Sequence, residues 1–192
     1  MKKILLPSLF LLLICLYAIQ AVVISVLPKL DGNGELAILS PAIIIAVIAI
    51  VLCLINIGFA IYCANSKKIA TDKRKQRTIN RTVLIFKLLA IPFFILNYAF
   101  WFMMNVALWV VPGLFVLSII FAFPVGVGFT YLVLLSSSSY SIAILKVLYK
   151  NGEITKKKFI LHTILQLLFM VDVIDQIIIQ KFTKIKTKPR RT

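Results

Sequence analysis

The chain has 192 residues, 61% of them hydrophobic and 15% charged, with a mean hydropathy of +1.04. Soluble domains carry about 25% charged residues, and the longest polar stretch here, Asn65 to Arg81, leaves no room for a separate water-soluble domain. A formal charge of +16 would suit nucleic acid, but nucleic-acid-binding proteins seldom break their basic stripes with apolar runs of ~20 residues, so nucleic acid is not the expected partner.

The first apolar run extends from Ile4 to Leu27 behind Met1-Lys2-Lys3. It resembles a secretory signal, but it is longer than the h-region of about 7–15 residues. Ile19 and Leu16 stand where cleavage after Ala21 or Ala18 would need a small residue. It reads as a permanent helix, long enough at about 1.5 Å per residue to cross a core about 30 Å thick. The loop Pro28 to Leu36 holds the turn dipeptides Asp31-Gly32 and Asn33-Gly34, with one base, Lys29, against Asp31 and Glu35. The second run, 38–63, is rich in β-branched residues but must be helical in lipid to satisfy its backbone.

Next comes a basic loop with Lys67, Lys68, Lys73, Arg74, Lys75, Arg77 and Arg81 against Asp72 alone. It is too polar to cross a membrane and too charged to fold by itself. The third run, 83–111, carries Lys87 near its start, where a long side chain can snorkel back toward that loop. Trp109 suits an outer aromatic belt; Trp101, about 12 Å deeper at helical rise, reads as a packing residue. Pro112-Gly113 is a tight turn into a fourth run, 114–135. Pro124, Gly126 and Gly128 sit within it and can bend it or admit a neighbour. Ser136 to Ser139 follow, and serines there can bond their own helix.

Of the 22 basic residues, all but Lys29 can be placed on one side of this arrangement, the side that keeps Lys and Arg in membrane proteins. The C-terminal third tests that pattern. Lys156, Lys157 and Lys158 lead into an apolar stretch from Phe159 to Ile179, and a basic tail, 181–192, follows. Crossing would export the tail's six bases and would place Asp172 and Asp175 in hydrocarbon, where a central Asp costs about 2.5–3.5 kcal/mol on insertion scales. At 100° per residue, Lys158, His162, Gln166, Gln176 and Gln180 fall within about 40° of one direction. Asp172 lies at the edge of that stripe and Asp175 off it. The expectation is one amphipathic helix, about 154–180, lying along the inner interface with its apolar face in the membrane. A helix buried against the bundle and a fifth span are the alternatives.

Candidate sites are few. Asp172 and Asp175, at i and i+3, are the sharpest, as a cation or proton site or as partners of Lys87 and the basic loop. The bland reading is two interfacial acids paired with lysines. His162 is the only histidine; with Asp172 about 15 Å further along a straight helix, it reads as solvated or packed, and no metal site or cofactor is expected. Cys15, Cys53 and Cys63 lie in apolar runs without CxxC spacing and read as small hydrophobes. Asn56, Asn97 and Asn105 are candidate hydrogen-bonding residues between helices. The basic loop suits anionic lipid, at about 1 kcal/mol per Lys or Arg near the surface, or another protein. No GxSxG, HExxH or P-loop is present.

These features predict an all-α polytopic membrane helix bundle. It has four transmembrane helices, a C-terminal interfacial or buried amphipathic helix, and both termini cytoplasmic. The Ile- and Lys-rich composition points to a bacterial plasma membrane. The expected role is non-catalytic, an accessory subunit or an immunity factor acting through helix–helix contacts with membrane lipids, another membrane protein or a homo-oligomer. A small oligomeric transporter or channel using Asp172 and Asp175, and a membrane-embedded lipid-acting enzyme, are the alternatives.

Overall fold

A computed structural model describes residues 2–26, 35–110, 116, 120, 123–168 and 171–185. The described elements are helices: α1 (Lys2–Val26), α2 (Glu35–Asn65), α3 (Lys67–Thr71), α4 (Lys73–Val110), α5 (Phe123–Lys150), α6 (Lys156–Leu167) and α7 (Val171–Ile185). Three are long and apolar enough to cross a membrane, over Ile43–Asn65, Lys73–Val106 and Pro124–Lys150. The apolar stretch Pro7–Val22 of α1 is shorter. The tight turn expected at Pro112-Gly113 and the tail beyond Ile185 lie outside the described residues.

α2 packs between α1 and α5, and α4 lies against α1 and α5. The contact face of α2 is built from Ala49, Cys53, Ala60 and Cys63, all buried. Their spacing of four, seven and three keeps them on one side of the helix, and small residues let neighbouring helices approach closely where water supplies no driving force. The opposite side of α2 turns Ile44, Val47, Val51, Leu54 and Ile61 outward. The three cysteines are buried and unbridged.

The basic segment after α2 is not an unfolded loop. Its first residues form α3, and Lys73 to Arg81 are the opening turns of α4. Asp72 Oδ1 accepts from the Arg74 and Lys75 backbone N–H groups at 2.9 and 3.2 Å, which satisfies donors that every helix start leaves open. The Lys75 ammonium beside it holds the Asp72 carboxyl below the usual carboxylate range. Charge stays on the outer face, with Lys67, Arg74, Lys75, Arg77 and Arg81 exposed. Ile69, Gln76, Ile79 and Asn80 are buried beneath them. Gln76 Nε2 donates to the carbonyls of Ile69 and Ala70, at 2.8 and 3.0 Å, and Lys73 pairs with Glu153.

α5 runs on to Lys150, past the expected limit of 135. It ends in a left-handed Gly152, φ +68°. Gly152 N–H donates to Tyr149 O at 2.9 Å and Glu153 N–H to Leu148 O at 2.9 Å, the double closure of a Schellman cap. Thr155 then caps α6 through its side chain.

The single helix expected over 154–180 is two helices. α6 stops at Leu167, and Leu168 is extended, φ −89° and ψ 123°. α7 folds back so that α6 and α7 touch each other, α6 lies on α5 and α7 lies on α4 and α5. The polar stripe is present, but it faces inward. His162, Gln166, Asp172, Asp175 and Gln176 are buried, while Leu161, Ile164, Ile174 and Ile177 are exposed. Helical periodicity separates two faces without saying which one meets the bundle; here the bundle offers polar partners, so the polar face turns in.

A buried ion-pair network joins four helices

Lys87, 2% exposed, projects from α4 toward α5, α6 and α7. Its ammonium meets Asp172 Oδ2 of α7 at 2.9 Å, Gln166 Oε1 of α6 at 2.6 Å and Ser138 Oγ of α5 at 3.2 Å. An ammonium has three protons, and this geometry gives each an acceptor. Lys87 therefore does not snorkel toward the basic segment. The ion pair to Asp172 that its position allows is formed.

Gln166 extends the network. Its Nε2 donates to Asp175 Oδ2 at 2.7 Å and to Asp172 O at 3.3 Å. Asp175 Oδ1 in turn meets Nδ1 of His162. Because α7 folds back on α6, the imidazole reaches a carboxylate 13 residues later, which along one straight helix would stand about 20 Å away. Next to Asp175 on α7, Gln176 accepts from Ser141 of α5 and donates to Asn80 of α4. Lys87, Ser138, His162, Gln166, Asp172 and Asp175 thus form a buried polar spine across four helices, with Gln176, Asn80 and Ser141 as a second buried polar contact among α7, α4 and α5. Burying charge is costly unless it is paired and hydrogen-bonded, and here each charged partner is met.

Sequence reading singled out Asp172, Asp175 and His162 as site residues, with Lys87 as a partner of the acids; it placed Gln166 and Gln176 only on a polar stripe, read Ser138 as bonding its own helix, and did not single out Asn80 or Ser141. The available signal was spacing. Gln76, Asn80 and Lys87 share one face of α4, and Ser138 and Ser141 share one face of α5. Two of the serines do bond their own helix, Ser137 to Leu134 O at 3.0 Å and Ser139 to Ser136 O at 2.8 Å; Ser138 and Ser141 face the network.

The three asparagines lie elsewhere. Asn56 is buried, and its Oδ1 accepts from Ser8 of α1 and Tyr140 of α5, each at 3.0 Å. Asn97 Nδ2 donates to Thr130 Oγ1 across the α4–α5 contact at 2.6 Å. Asn105 Nδ2 donates to Trp101 O in its own helix at 2.7 Å.

A cavity of 330 Å³ reaches the ion pair from the side, with Lys87, Asp172 and Ser137 at its polar end and Ile91, Phe94, Ile95 and Tyr98 among its walls. A second, of 470 Å³, shares Phe94 and Tyr98 and continues along α4 past Trp101 to Trp109. Among the described residues no group of three or more His, Cys, Asp or Glu could hold a metal ion.

The model of a family described as "Family of unknown function (DUF6652)" matches residues 1–186. No curated protein and no solved structure matches the chain.

Proposed function

We propose, for a chain that belongs to the family of unknown function DUF6652, that it is a non-catalytic integral membrane protein acting through helix–helix contacts, as an accessory subunit or a protective factor. The observation that carries this reading is the inverted arrangement of the C-terminal hairpin. Its acids and its histidine are paired inside the bundle, Asp175 with His162 and Asp172 with Lys87 of α4, while Leu161, Ile164, Ile174 and Ile177 face out, where lipid or a partner helix would cover them. On this reading α1 is a fourth span and both termini are cytoplasmic. The exposed bases Lys67, Arg74, Lys75, Arg77 and Arg81 meet anionic headgroups on the inner leaflet; Lys73, paired with Glu153, and Lys68 belong to the same segment. Purification in mild detergent after crosslinking in cells is expected to recover a stoichiometric membrane protein partner. A monomer without one would refute the reading.

The 330 Å³ cavity favours a second reading, a small transporter, because it brings an apolar space against an ionisable pair inside the bundle. Substrate flux into proteoliposomes that is lost in Asp172→Asn would support it.

A further inference from the structure

The C-terminal hairpin has a direction. The Phe159 ring of α6 stacks on Tyr149 near the end of α5, with centroids 5.4 Å apart. At the other end of α6, Leu167 O accepts from the hydroxyl of Tyr131, far back along α5, at 3.4 Å. α6 therefore runs away from the end of the bundle that carries Lys150. α7 returns: Asp172 meets Lys87, and Gln176 meets Asn80, which lies about 10 Å nearer the basic start of α4 at helical rise. Neither helix can cross alone, because 12 and 15 residues extend about 18 and 22 Å against a core about 30 Å thick.

Between its ends the hairpin keeps no face for water. Leu161, Ile164 and Leu168 on α6 and Val171, Ile174 and Ile178 on α7 are exposed, and their spacing of three and four keeps each trio on one side of its helix. His162, Gln166, Asp172, Asp175 and Gln176 are buried against the bundle, and Thr163 Oγ1 turns back to Phe159 O at 2.8 Å. A helix lying along the interface needs one wet face. Exposed charge is confined to the open end, with Lys156, Lys157, Lys158 and Lys181. At the break, Leu168 N–H donates to Leu165 O at 3.3 Å and Leu168 O accepts from Asp172 N–H at 3.1 Å, the internal pairing that hydrocarbon demands of a backbone.

We propose that α6 and α7 form a re-entrant hairpin. It enters the bilayer from the side that holds the basic segment of α4, turns within the hydrocarbon near Leu168, and returns to the same side. Lipid acyl chains cover its outer face, and anionic headgroups surround the lysines of its open end. The hairpin rests on the membrane reading above and assigns this face to lipid rather than to a partner helix.

The test uses nitroxide-labelled single cysteines at Lys157, Leu161, Leu168, Val171, Ile174 and Lys181 of the full chain, in vesicles of phosphatidylethanolamine and phosphatidylglycerol. Collision with oxygen, which concentrates in hydrocarbon, is compared with collision with a water-soluble nickel chelate. Val51→Cys, exposed on α2 within a candidate span, is the reference. The oxygen-to-nickel ratio is expected to rise severalfold from Lys157→Cys to Leu168→Cys and to fall again from Val171→Cys to Lys181→Cys. The doubly labelled K157C/K181C chain should give an interspin distance well short of the bilayer thickness. A low, flat profile would place the hairpin on the surface. An interspin distance of about 30 Å or more, the thickness of the core, would make it a span. Exclusion of both reagents along the outer face would mean that a second copy covers it. Each of these outcomes overturns the proposal. A low ratio at Val51→Cys as well would refute the membrane reading itself, whereas a high one there beside a flat hairpin profile would refute the hairpin alone.

Discussion

His162 and Asp175 meet across the break between α6 and α7, with the imidazole Nδ1 against Oδ1 of the carboxylate. Asp175 is thereby the acceptor for two side chains of α6, since Gln166 Nε2 reaches its other oxygen at 2.7 Å. The contact closes the hairpin and turns what would be an ordinary amphipathic helix into a folded pair with a polar interior.

Removal of Asp175 leaves two buried polar groups of α6 without that acceptor. Asp175→Ala is expected to destabilise the protein by roughly 2–6 kcal/mol, two buried hydrogen-bond partners left unsatisfied at about 1–3 kcal/mol each. His162→Ala should cost less, because Asp175 keeps Gln166. Thermal unfolding in detergent, followed by circular dichroism, gives the order. A smaller loss for Asp175→Ala than for His162→Ala would contradict the network.

The pair Lys87–Asp172 should behave as a coupled unit. Lys87→Met leaves a buried carboxylate without its cation, and Asp172→Leu leaves a buried ammonium; each is expected to cost roughly 3–5 kcal/mol. Joined in one chain, the two substitutions remove both charges and should recover most of that loss. A double-mutant cycle measures the coupling, and neighbours in one network typically show ~0.5–3 kcal/mol of it or more. Simple additivity would mean that the 2.9 Å contact contributes nothing.

The apolar runs made the long helices legible. Runs read over 4–27 and 38–63 are helices over Lys2–Val26 and Glu35–Asn65, because a long apolar segment has no other way to satisfy its backbone in lipid. The polar stripe of His162, Gln166 and Gln176 was legible as a period, but a period is the same whether the polar face looks into water or into a bundle. Asp175 fell off the stripe because the chain turns after Leu167, and no proline or glycine marks that turn in the sequence. The helical start of α4 was hidden by its charge. Five bases in its opening turns, Lys73, Arg74, Lys75, Arg77 and Arg81, masked Gln76, Ile79, Asn80 and Val83, whose spacing of three, one and three already outlines a buried face.

Glycines that look alike in sequence differ in the fold. A Cβ built on Gly126 would stand 2.8 Å from Trp101 Cγ and nearer still to the rest of the indole, whereas nothing lies within 4 Å of one built on Gly58 or Gly128. Gly126→Ala should therefore cost about 1–3 kcal/mol through overpacking, and Trp101→Leu in the same chain should relieve most of it. Gly58→Ala should be neutral or stabilising by up to ~1 kcal/mol, the helix propensity difference. Melting temperatures of the three variants against the native chain decide; a harmless Gly126→Ala would mean that the indole does not pack on that backbone.

On the membrane topology proposed above, one contact sets the end of the bundle at which the C-terminal hairpin finishes. Gln176 of α7 donates to Asn80 of α4, so Lys181, five residues further on, and Arg77, three residues before Asn80, lie at the same end of the bundle. Both are exposed, and the native Cys15, Cys53 and Cys63 are buried, which leaves a quiet background for thiol labelling. Single cysteines at Arg77 and Lys181 are expected to resist a membrane-impermeant maleimide in intact cells and to react once the cells are opened. A cysteine at Lys157, exposed at the start of α6, should behave the same way. Labelling of Lys181→Cys from outside while Arg77→Cys stays protected would mean that the C-terminal segment crosses. The polar spine joining α4 to α7 could not then exist, because its two ends would be separated by the thickness of the bilayer, about 30 Å.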